Sequence, residues 1–437
     1  MQSGPASSTG PAAAVPRQKS LIALMMSLFF AFGFCTVLVD TLIPKLKAMF
    51  ALSYAEVMLT QFCFFLAYFI ISVPAGWLLT RIGYLRGVTV GLLVMAFGCL
   101  LFTPAAWIGS YPAFLAALFI LAAGVTTVQV AANPLTALLG DPRKAHSRLT
   151  LAQAFNSVAT MVGPIFGSAL ILSHGLIAPD PKTAPPQVMA LFRRQEAQAV
   201  QLPFFGIALT LLALAALCWA LRRWAPVAKA QGVGSFGRLI GNPRLALGAL
   251  SLFTYVGAEV SIGSAMANYL MQASVLGVAM KVAGALVSVY WGLAMVGRFI
   301  GAAALRRLPP GLVLAVCALG AGSMAAISGL SGGMVAAVTI LSVGLFNSIM
   351  FPTIFTLAIE ELGDETPQAS GILCLAIVGG AVVPVVWGLA ADRVGPATAM
   401  FVPVVCYGWI GLYGLLASNG MIKPAPGRAA ALGEALV

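Results

Sequence analysis

Residues 112–139 of the chain read PAFLAALFILAAGVTTVQVAANPLTALL and contain no charged side chain. A helix rises 1.5 Å per residue, so about 20 apolar residues cross the hydrocarbon core of a bilayer. Similar apolar stretches recur along the whole chain, without the short alternating strands of an outer-membrane barrel. The repetition predicts an all-α membrane protein that crosses the bilayer many times.

The composition excludes a soluble protein. Of the 437 residues, 60% are hydrophobic and only 8% are charged, and the mean hydropathy is +0.99. A soluble protein needs roughly a quarter of its residues charged to cover its surface. The net charge of +12 comes from basic residues in short segments between apolar stretches, so membrane topology explains it better than nucleic-acid binding. The seven cysteines are scattered, and we expect no metal or organic cofactor.

The apolar stretches form two sets of six predicted spans. The first set is 20–42, 54–79, 87–106, 112–139, 149–172 and 203–221. The second set is 245–270, 282–305, 312–330, 334–357, 371–390 and 397–416. We therefore expect an N-terminal bundle (20–221), a linker (222–244) and a C-terminal bundle (245–418), with tails at 1–19 and 419–437. Residues 173–198 are expected to form the longest other loop.

The distribution of basic residues predicts the orientation. With the N-terminus in the cytoplasm, 16 of the 24 Lys and Arg fall on the cytoplasmic side and seven on the outer side. Arg298 remains inside the eighth span. Cytoplasmic loops carry the excess of Lys and Arg in membrane proteins, so both termini are expected in the cytoplasm.

The two halves resemble each other. Pro134 and Pro352 occupy corresponding places in the fourth and tenth spans, and an amide, Gln129 or Asn347, stands five residues before each. Two parallel halves with matching broken helices are typical of transporters whose site lies between the halves at mid-membrane.

Two carboxylates fall inside predicted spans, Asp40 in the first and Glu259 in the seventh. A carboxylate at the centre of a transmembrane helix costs about 2.5–3.5 kcal/mol on insertion scales, so it needs a partner, water or a proton. One interpretation is a structural ion pair with Arg298, or solvent access for Asp40. The other is that one or both bind a coupling ion, a proton or sodium.

Six amides form a second polar set: Gln129, Asn133, Gln153, Asn156, Asn268 and Asn347. Gln129 and Asn133 are four residues apart and share a helix face, and Gln153 and Asn156 do likewise. Amides suit hydroxyl-rich ligands because they both donate and accept hydrogen bonds. Hydrogen bonding between helices is the alternative. The rings of Tyr255 and Trp291 are candidates for stacking on a ligand, or simply for packing.

Residues 76–83, GWLLTRIG, end the second span. Small residues there allow close helix approach, and Arg81 is expected to hydrogen-bond helix-end carbonyls as part of a gate. The stretch resembles the loop signature of the major facilitator superfamily, with Thr80 in place of the usual aspartate.

Most of the chain is similar to the fucose–galactose–glucose–proton symporter family of that superfamily. The resembling runs are VDTLIP (39–44), AANP (131–134), RLTLAQAFNS (148–157), YVGA (255–258), GRF (297–299) and PTIF (352–355). The family's fucose–proton symporters use an aspartate in the first span, which Asp40 matches. They use a glutamate in the fourth span, where this chain has Gln129. The resemblance is therefore to the glucose/galactose branch, which also resembles N-acetylglucosamine transporters, and Glu259 is expected to supply the second carboxylate.

The resemblance implies a major facilitator fold with 12 transmembrane helices in two pseudo-symmetric bundles. It implies import of a monosaccharide by cation-coupled symport in the bacterial inner membrane, by a functional monomer surrounded by lipid. A sugar uniporter, a fucose-type proton symporter and, more distantly, a drug exporter remain alternatives. An enzyme would need a nucleophile–base pair or a metal cluster, and the two histidines, His146 and His174, fall in opposite loops.

Overall fold

The computed structural model describes residues 11–50, 54–167, 186–225 and 239–422, and every regular element in these ranges is helical. The first half contains α1 (Pro11–Phe50), α2 (Tyr54–Ile82), α3 (Tyr84–Ile108), α4 (Tyr111–Leu138), α5 (Ala145–Gly167) and α6 (Pro186–Ala220). The second half contains α7 (Pro243–Leu270), α8 (Met280–Ala304), α9 (Pro310–Leu330), α10a (Gly333–Asn347), α10b (Met350–Ala358), α11a (Thr366–Leu375), α11b (Gly379–Val394), α12a (Pro396–Ala399) and α12b (Phe401–Ser418).

The packing of the first half is repeated in the second. In the first half α1 packs on α5, α2 on α4, and α3 on both α4 and α6. In the second half α7 packs on α11b, α8 on α10a, and α9 on both α10a and α12b. Each contact thus recurs with all helix numbers raised by six. The predicted all-α architecture of two pseudo-symmetric six-helix halves is confirmed.

Glycines set the closest approaches within each half. A Cβ on Gly98 of α3 would lie 2.5 Å from the Leu121 nitrogen of α4, and a Cβ on Gly311 of α9 would lie 2.6 Å from the Gly414 oxygen of α12b. Only a residue without a side chain permits such contact between backbones. Without a hydrophobic force between helices in lipid, this close packing is a principal source of helix association.

Eleven helical segments in the described residues are long and apolar enough to cross a membrane. The remaining helix, α5, lies between α4 and α6 in the chain and is the most polar of the twelve, since it carries Arg148, Gln153 and Asn156. Its polar side chains face other helices, as described below. The chain is a multi-pass membrane protein.

Two local expectations differ from the structure. Residues 173–198 were expected to form a loop, but α6 begins at Pro186 and continues to Ala220. Proline is favoured in the first helical turn, and the following residues are mostly Gln, Met, Ala, Leu, Arg and Glu, all good helix formers. The fourth span was expected to break at Pro134, but α4 is continuous through it. Of these two proline-containing spans, the tenth is the one that is interrupted, between Asn347 and Met350.

Candidate functional site

The two halves close against each other near one surface of the molecule, where α1 begins and α2, α4, α8 and α10b end. We call this surface the N-terminal face. There α2 packs on α11a and α5 packs on α8. A Cβ on Gly76 would lie 2.8 Å from the Pro367 oxygen, so the predicted close approach at this position is observed. Ser147 Oγ donates to the Ala302 oxygen at 2.5 Å, and His146 Nδ1 lies 2.5 Å from Thr356 Oγ1.

Pro134 and Pro352 each leave a main-chain oxygen without its helical donor, because proline has no N–H to bond the residue four positions earlier. In α4 the freed oxygen belongs to Val130, and Ser370 Oγ of the other half donates to it at 2.7 Å. This hydrogen bond satisfies the freed oxygen and joins the two halves.

The corresponding oxygen in the tenth span belongs to Ser348, and Arg298 of α8 donates to it through Nε at 3.3 Å. The same guanidinium reaches the first half, where Nη1 donates to Ser157 Oγ and lies 3.5 Å from the Gln153 oxygen. Arg298 therefore links the interruption of the tenth span to α5 across the interface. The gating or charge-partner role expected for Arg298 stays a prediction.

Glu259 lies in a cluster of polar groups in the second half. The Tyr255 hydroxyl lies 2.8 Å from Glu259 Oε1 and 3.2 Å from the Asn347 oxygen, so it can donate to either. Asn347 Nδ2 donates to the Tyr290 hydroxyl at 2.9 Å. Tyr255, Asn347 and Tyr290 are buried, whereas Glu259 is partly accessible. The cluster holds a carboxylate beside the interrupted helix, in a setting of hydroxyl and amide groups.

Glu259 and Arg298, both in the described part of the chain, do not form an ion pair; the ion pairs described are Lys144–Asp141 and Arg244–Glu360. The suggested ion pair between Glu259 and Arg298 is therefore not formed in this conformation. Asp40 lies in α1, but its side chain is outside the described residues.

The predicted amides differ in how deeply their side chains are buried in the protein. Gln129 is partly accessible, and its Nε2 donates to the Tyr68 hydroxyl of α2 at 2.7 Å. Asn156 is partly accessible as well, and its Nδ2 donates to the Phe29 oxygen of α1 at 3.1 Å. Gln153 is buried and contributes its main-chain oxygen to Arg298. Gln153 and Asn156 thus lie on the part of α5 that Arg298 contacts from the second half.

Asn133 lies one turn nearer the N-terminal face than Gln129 and is fully buried. It lies beside the Cys374 thiol of α11a, in the other half of the protein. In this conformation α11a covers Asn133, so the structure does not bring it together with Gln129 at an accessible surface. Asn268 is exposed near the far end of α7. Trp291 is 39% exposed, and its ring lies against the position of Gly263.

Arg81 does not cap a helix end. It is exposed, and its Cζ lies 3.7 Å from the centroid of the Trp77 ring on its own helix. The capping arginine is Arg148, which donates to the main-chain oxygens of Thr136, Ala137 and Asp141 at the end of α4. Arg81 lies at an exposed helix end, whereas Arg148 lies in the first turn of α5, beside the last turn of α4.

The N-terminal face also carries a buried imidazole. His146 lies in the first turn of α5, before the predicted span 149–172. Burial, together with the nearby guanidinium groups of Arg244 and Arg148, lowers the pKa of His146 to about 4. Arg244 of α7 is itself paired with Glu360 after α10b. His146 is thus held neutral at the junction of the two halves.

Comparison with known proteins places this arrangement in a family. Residues 24–377 match the Major Facilitator Superfamily. The chain is 48% identical over 397 residues to the glucose/galactose transporter of Brucella abortus, covering 90% of this chain and 92% of that protein. It is 41% identical over 355 residues to a putative glucose/galactose transporter of Helicobacter pylori, covering 81% and 85%.

Among solved structures, the chain is similar to the Escherichia coli fucose:proton symporter FucP, solved in the outward conformation. The TM-score is 0.85 and the sequence identity 31%, over 92% of this chain and 99% of that one. This likeness extends over both halves. The chain belongs to the Major Facilitator Superfamily.

Proposed function

We propose that this protein imports a monosaccharide of the glucose/galactose class by cation-coupled symport with alternating access. The strongest support is the identity of 48% to a protein named glucose/galactose transporter, over nine-tenths of the chain. The relatives are transporters, and the chain is not an enzyme. N-acetylglucosamine belongs to the same chemical class, and the amides of the site suit its hydroxyl and amide groups equally well.

The observation that carries the transport mechanism is the link from Glu259 to the first half. Tyr255 joins Glu259 to the Asn347 oxygen, Asn347 precedes the interruption of the tenth span, and Arg298 joins that interruption to α5. A change in the charge of Glu259 therefore acts on the segment that holds the halves together. Coupling requires such a link, because binding of the cation at Glu259 must favour one of the two states of the transporter, outward-facing or inward-facing, over the other.

We place both termini in the cytoplasm, in a bacterial inner membrane, on the distribution of Lys and Arg. The N-terminal face is then cytoplasmic. The contacts of α2 with α11a and of α5 with α8 close the protein toward the cytoplasm, which corresponds to an outward-facing state. The structural relative in the outward conformation supports the same assignment.

The sugar site in this proposal consists of the accessible polar groups at mid-membrane. Polar side chains in apolar spans are costly against lipid, so the accessible sides of Gln129, Asn156 and Glu259 are assigned to a water-filled cavity between the halves. Trp291 and Asn268 extend this set toward the outer side. Tyr255, Asn347 and Asn133 lie behind it and act as support in the outward-facing state.

Glu259 is the proposed coupling group, together with Asp40. Enclosing a carboxylate in the closed, loaded carrier costs free energy unless it carries a proton or binds a cation. Gln129 replaces the glutamate of the fucose–proton symporters and, as an amide, cannot release a proton near neutral pH. We therefore favour a coupling site in the second half over a fucose-type arrangement. Proton and sodium are both compatible with an oxygen-rich site.

Uptake of labelled D-glucose into proteoliposomes tests the proposal. The purified protein is assayed under a proton gradient, a sodium gradient or neither, with unlabelled galactose, fucose and N-acetylglucosamine as competitors. We expect accumulation of glucose above equilibrium under one of the two gradients. Of the three competitors, galactose is expected to be the strongest. Equilibration independent of both gradients would instead identify a uniporter. Transport of apolar drugs, with no uptake of glucose, would favour the exporter alternative.

A further inference from the structure

A basic and aromatic surface lies where α1 begins and α6 ends on the N-terminal face. Arg17 of α1 has its Cζ 5.8 Å from the centroid of the Trp224 ring, which follows α6. Arg222 has its Cζ 4.3 Å from the centroid of the Trp219 ring, and its Nη1 donates to the Trp219 oxygen at 2.6 Å. We call this surface the α1–α6 patch; it consists of Arg17, Lys19, Trp219, Arg222, Arg223 and Trp224.

The cations of the α1–α6 patch have no carboxylate close in the sequence. Residues 1–39 contain no Asp or Glu, and neither do residues 197–258. The described ion pairs, Lys144–Asp141 and Arg244–Glu360, involve other residues. Arg17, Lys19 and Arg223 are exposed. Four positive charges are thus collected at the ends of two helices without a neutralising partner among the described residues.

The two indole rings add a second property. Trp219 is 50% exposed and Trp224 is 40% exposed. Trp is enriched where a membrane helix meets the headgroup layer, because one edge of the ring is apolar and the other can donate a hydrogen bond. An arginine stacked on such a ring has its guanidinium fixed in orientation, with donors free for a phosphate.

We propose that the α1–α6 patch binds the headgroup of an anionic phospholipid of the cytoplasmic leaflet. Arg17 and Arg222 contact the lipid phosphate, while the rings of Trp224 and Trp219 lie along the glycerol and upper acyl region. The headgroup then bridges α1 and α6, two helices of the first half that also contact each other directly. Basic pockets between transmembrane helices on the cytoplasmic side have this preference for anionic lipids.

A second arginine pair provides a matched control. Arg306 and Arg307 follow α8 on the same face and are exposed. In the described part of the chain, neither stacks on an aromatic ring. The positive-inside rule explains the position of both arginine pairs equally well. A specific lipid site, in contrast, should depend only on Arg17 and Arg222, which lie against indole rings. The double variants Arg17→Gln/Arg222→Gln and Arg306→Gln/Arg307→Gln remove the same charge from the protein.

The test uses full-length protein in neutral detergent, titrated with phosphatidylglycerol or phosphatidylcholine. Bound lipid is counted by native mass spectrometry and stabilisation is followed by the melting temperature. Wild type and the Arg306/Arg307 variant are expected to bind phosphatidylglycerol alike. The Arg17/Arg222 variant is expected to bind it about 30-fold more weakly, since each basic residue contributes about a factor of five. The melting temperature without lipid verifies that each variant is folded.

Three outcomes would overturn the proposal: equal binding of phosphatidylcholine and phosphatidylglycerol by wild type, an equal loss in both double variants, or no loss in the Arg17/Arg222 variant. Inorganic phosphate is added in a separate arm. If free phosphate alone stabilises wild type and displaces the lipid, the patch binds a soluble anion and the lipid assignment is wrong. None of these readouts depends on sugar transport, so they stand apart from the proposed function.

Discussion

The Ser370 hydroxyl, in the second half of the protein, donates a 2.7 Å hydrogen bond to the main-chain oxygen of Val130 in the first half. That oxygen is available because Pro134, four residues later, has no N–H. An ordinary residue at 134 would satisfy Val130 within α4, so this oxygen would no longer depend on Ser370 for a donor. The proline thus turns a helix-internal bond into a bond between the two halves. In the proposed alternating-access cycle, opening of the N-terminal face must break this bond.

Replacing Ser370 by Ala is expected to weaken this closure. A buried carbonyl left without a partner costs about 1–3 kcal/mol, and 1.4 kcal/mol corresponds to a tenfold change in an equilibrium. Cys374, a buried cysteine one turn further along α11a, reports the opening, and its thiol also contacts Ser370. Loss of that contact makes the reactive thiolate less stable and would by itself slow alkylation, so faster alkylation indicates opening. We expect its alkylation by a maleimide, measured by peptide mass spectrometry, to be about tenfold faster in Ser370→Ala than in wild type.

Ser72→Ala is the control, because Ser72 is a buried serine of α2 in the same interface whose hydroxyl has no hydrogen-bond partner. Its loss breaks no bond between the halves, so the alkylation rate should stay near that of wild type. Equal acceleration in both variants would mean that packing, not the bond to Val130, holds the interface closed.

Arg298→Lys tests the second connection between the halves. Lysine keeps the charge but lacks the planar fork that lets one side chain reach Ser348, Ser157 and Gln153 together. We expect at least about a tenfold loss of sugar uptake and faster alkylation of Cys374. The exposed Arg306 gives the matched control, Arg306→Lys, which should change neither. Normal uptake in Arg298→Lys would show that its charge alone suffices.

Tyr255→Phe removes the hydroxyl between Glu259 and the Asn347 oxygen and keeps the ring. We expect gradient-driven accumulation of sugar to fall several-fold, while exchange of labelled for unlabelled sugar across the membrane continues, because exchange does not need the cation to leave. Tyr269 is a buried tyrosine of the same helix bonded to Ser328, so Tyr269→Phe controls for the loss of a buried hydroxyl. A parallel loss of exchange and accumulation in Tyr255→Phe would point to damaged folding or sugar binding.

His146 makes the stability of the folded protein depend on pH. The pKa of His146 is lowered from 6.5 to about 4, so the folded state favours the neutral imidazole. The free energy of unfolding is therefore highest above about pH 6.5 and falls as the pH falls toward 4, because the unfolded state binds the proton more readily. At about pH 5 the loss reaches about 2 kcal/mol. His146→Asn should lose less melting temperature than wild type between about pH 7.5 and pH 5. Identical pH profiles would show that His146 is not the responsible group.

The two prolines show which parts of the contacts between the halves can be predicted from the sequence. Pro134 and Pro352 were identifiable as corresponding positions, and the rule that proline frees the oxygen four residues earlier would have named Val130 and Ser348 as acceptors. Nothing local indicates that the donors are Ser370 and Arg298, because those contacts join segments 240 and 50 residues apart in the chain. Pairings between helices depend on the packing of the whole bundle.

The amides make the same point for the site. The four-residue spacing of Gln129 and Asn133 correctly placed them on one face of α4, but only Gln129 is accessible. The sequence cannot reveal that α11a covers that face one turn lower, since this depends on which end of the transporter is closed. Glu259 was recognised from its sequence alone, because a carboxylate in an apolar span is costly wherever the helix packs.

The most direct test of cation-coupled sugar transport measures the cation that moves with the sugar. Proteoliposomes with a trapped pH dye or sodium indicator receive D-glucose with no imposed gradient. We predict that wild type takes up protons or sodium as sugar enters, and that Glu259→Gln carries sugar without this cation flux. Glucose entry without cation movement in wild type, or full cation flux in Glu259→Gln, would contradict the assignment of Glu259 as the coupling carboxylate.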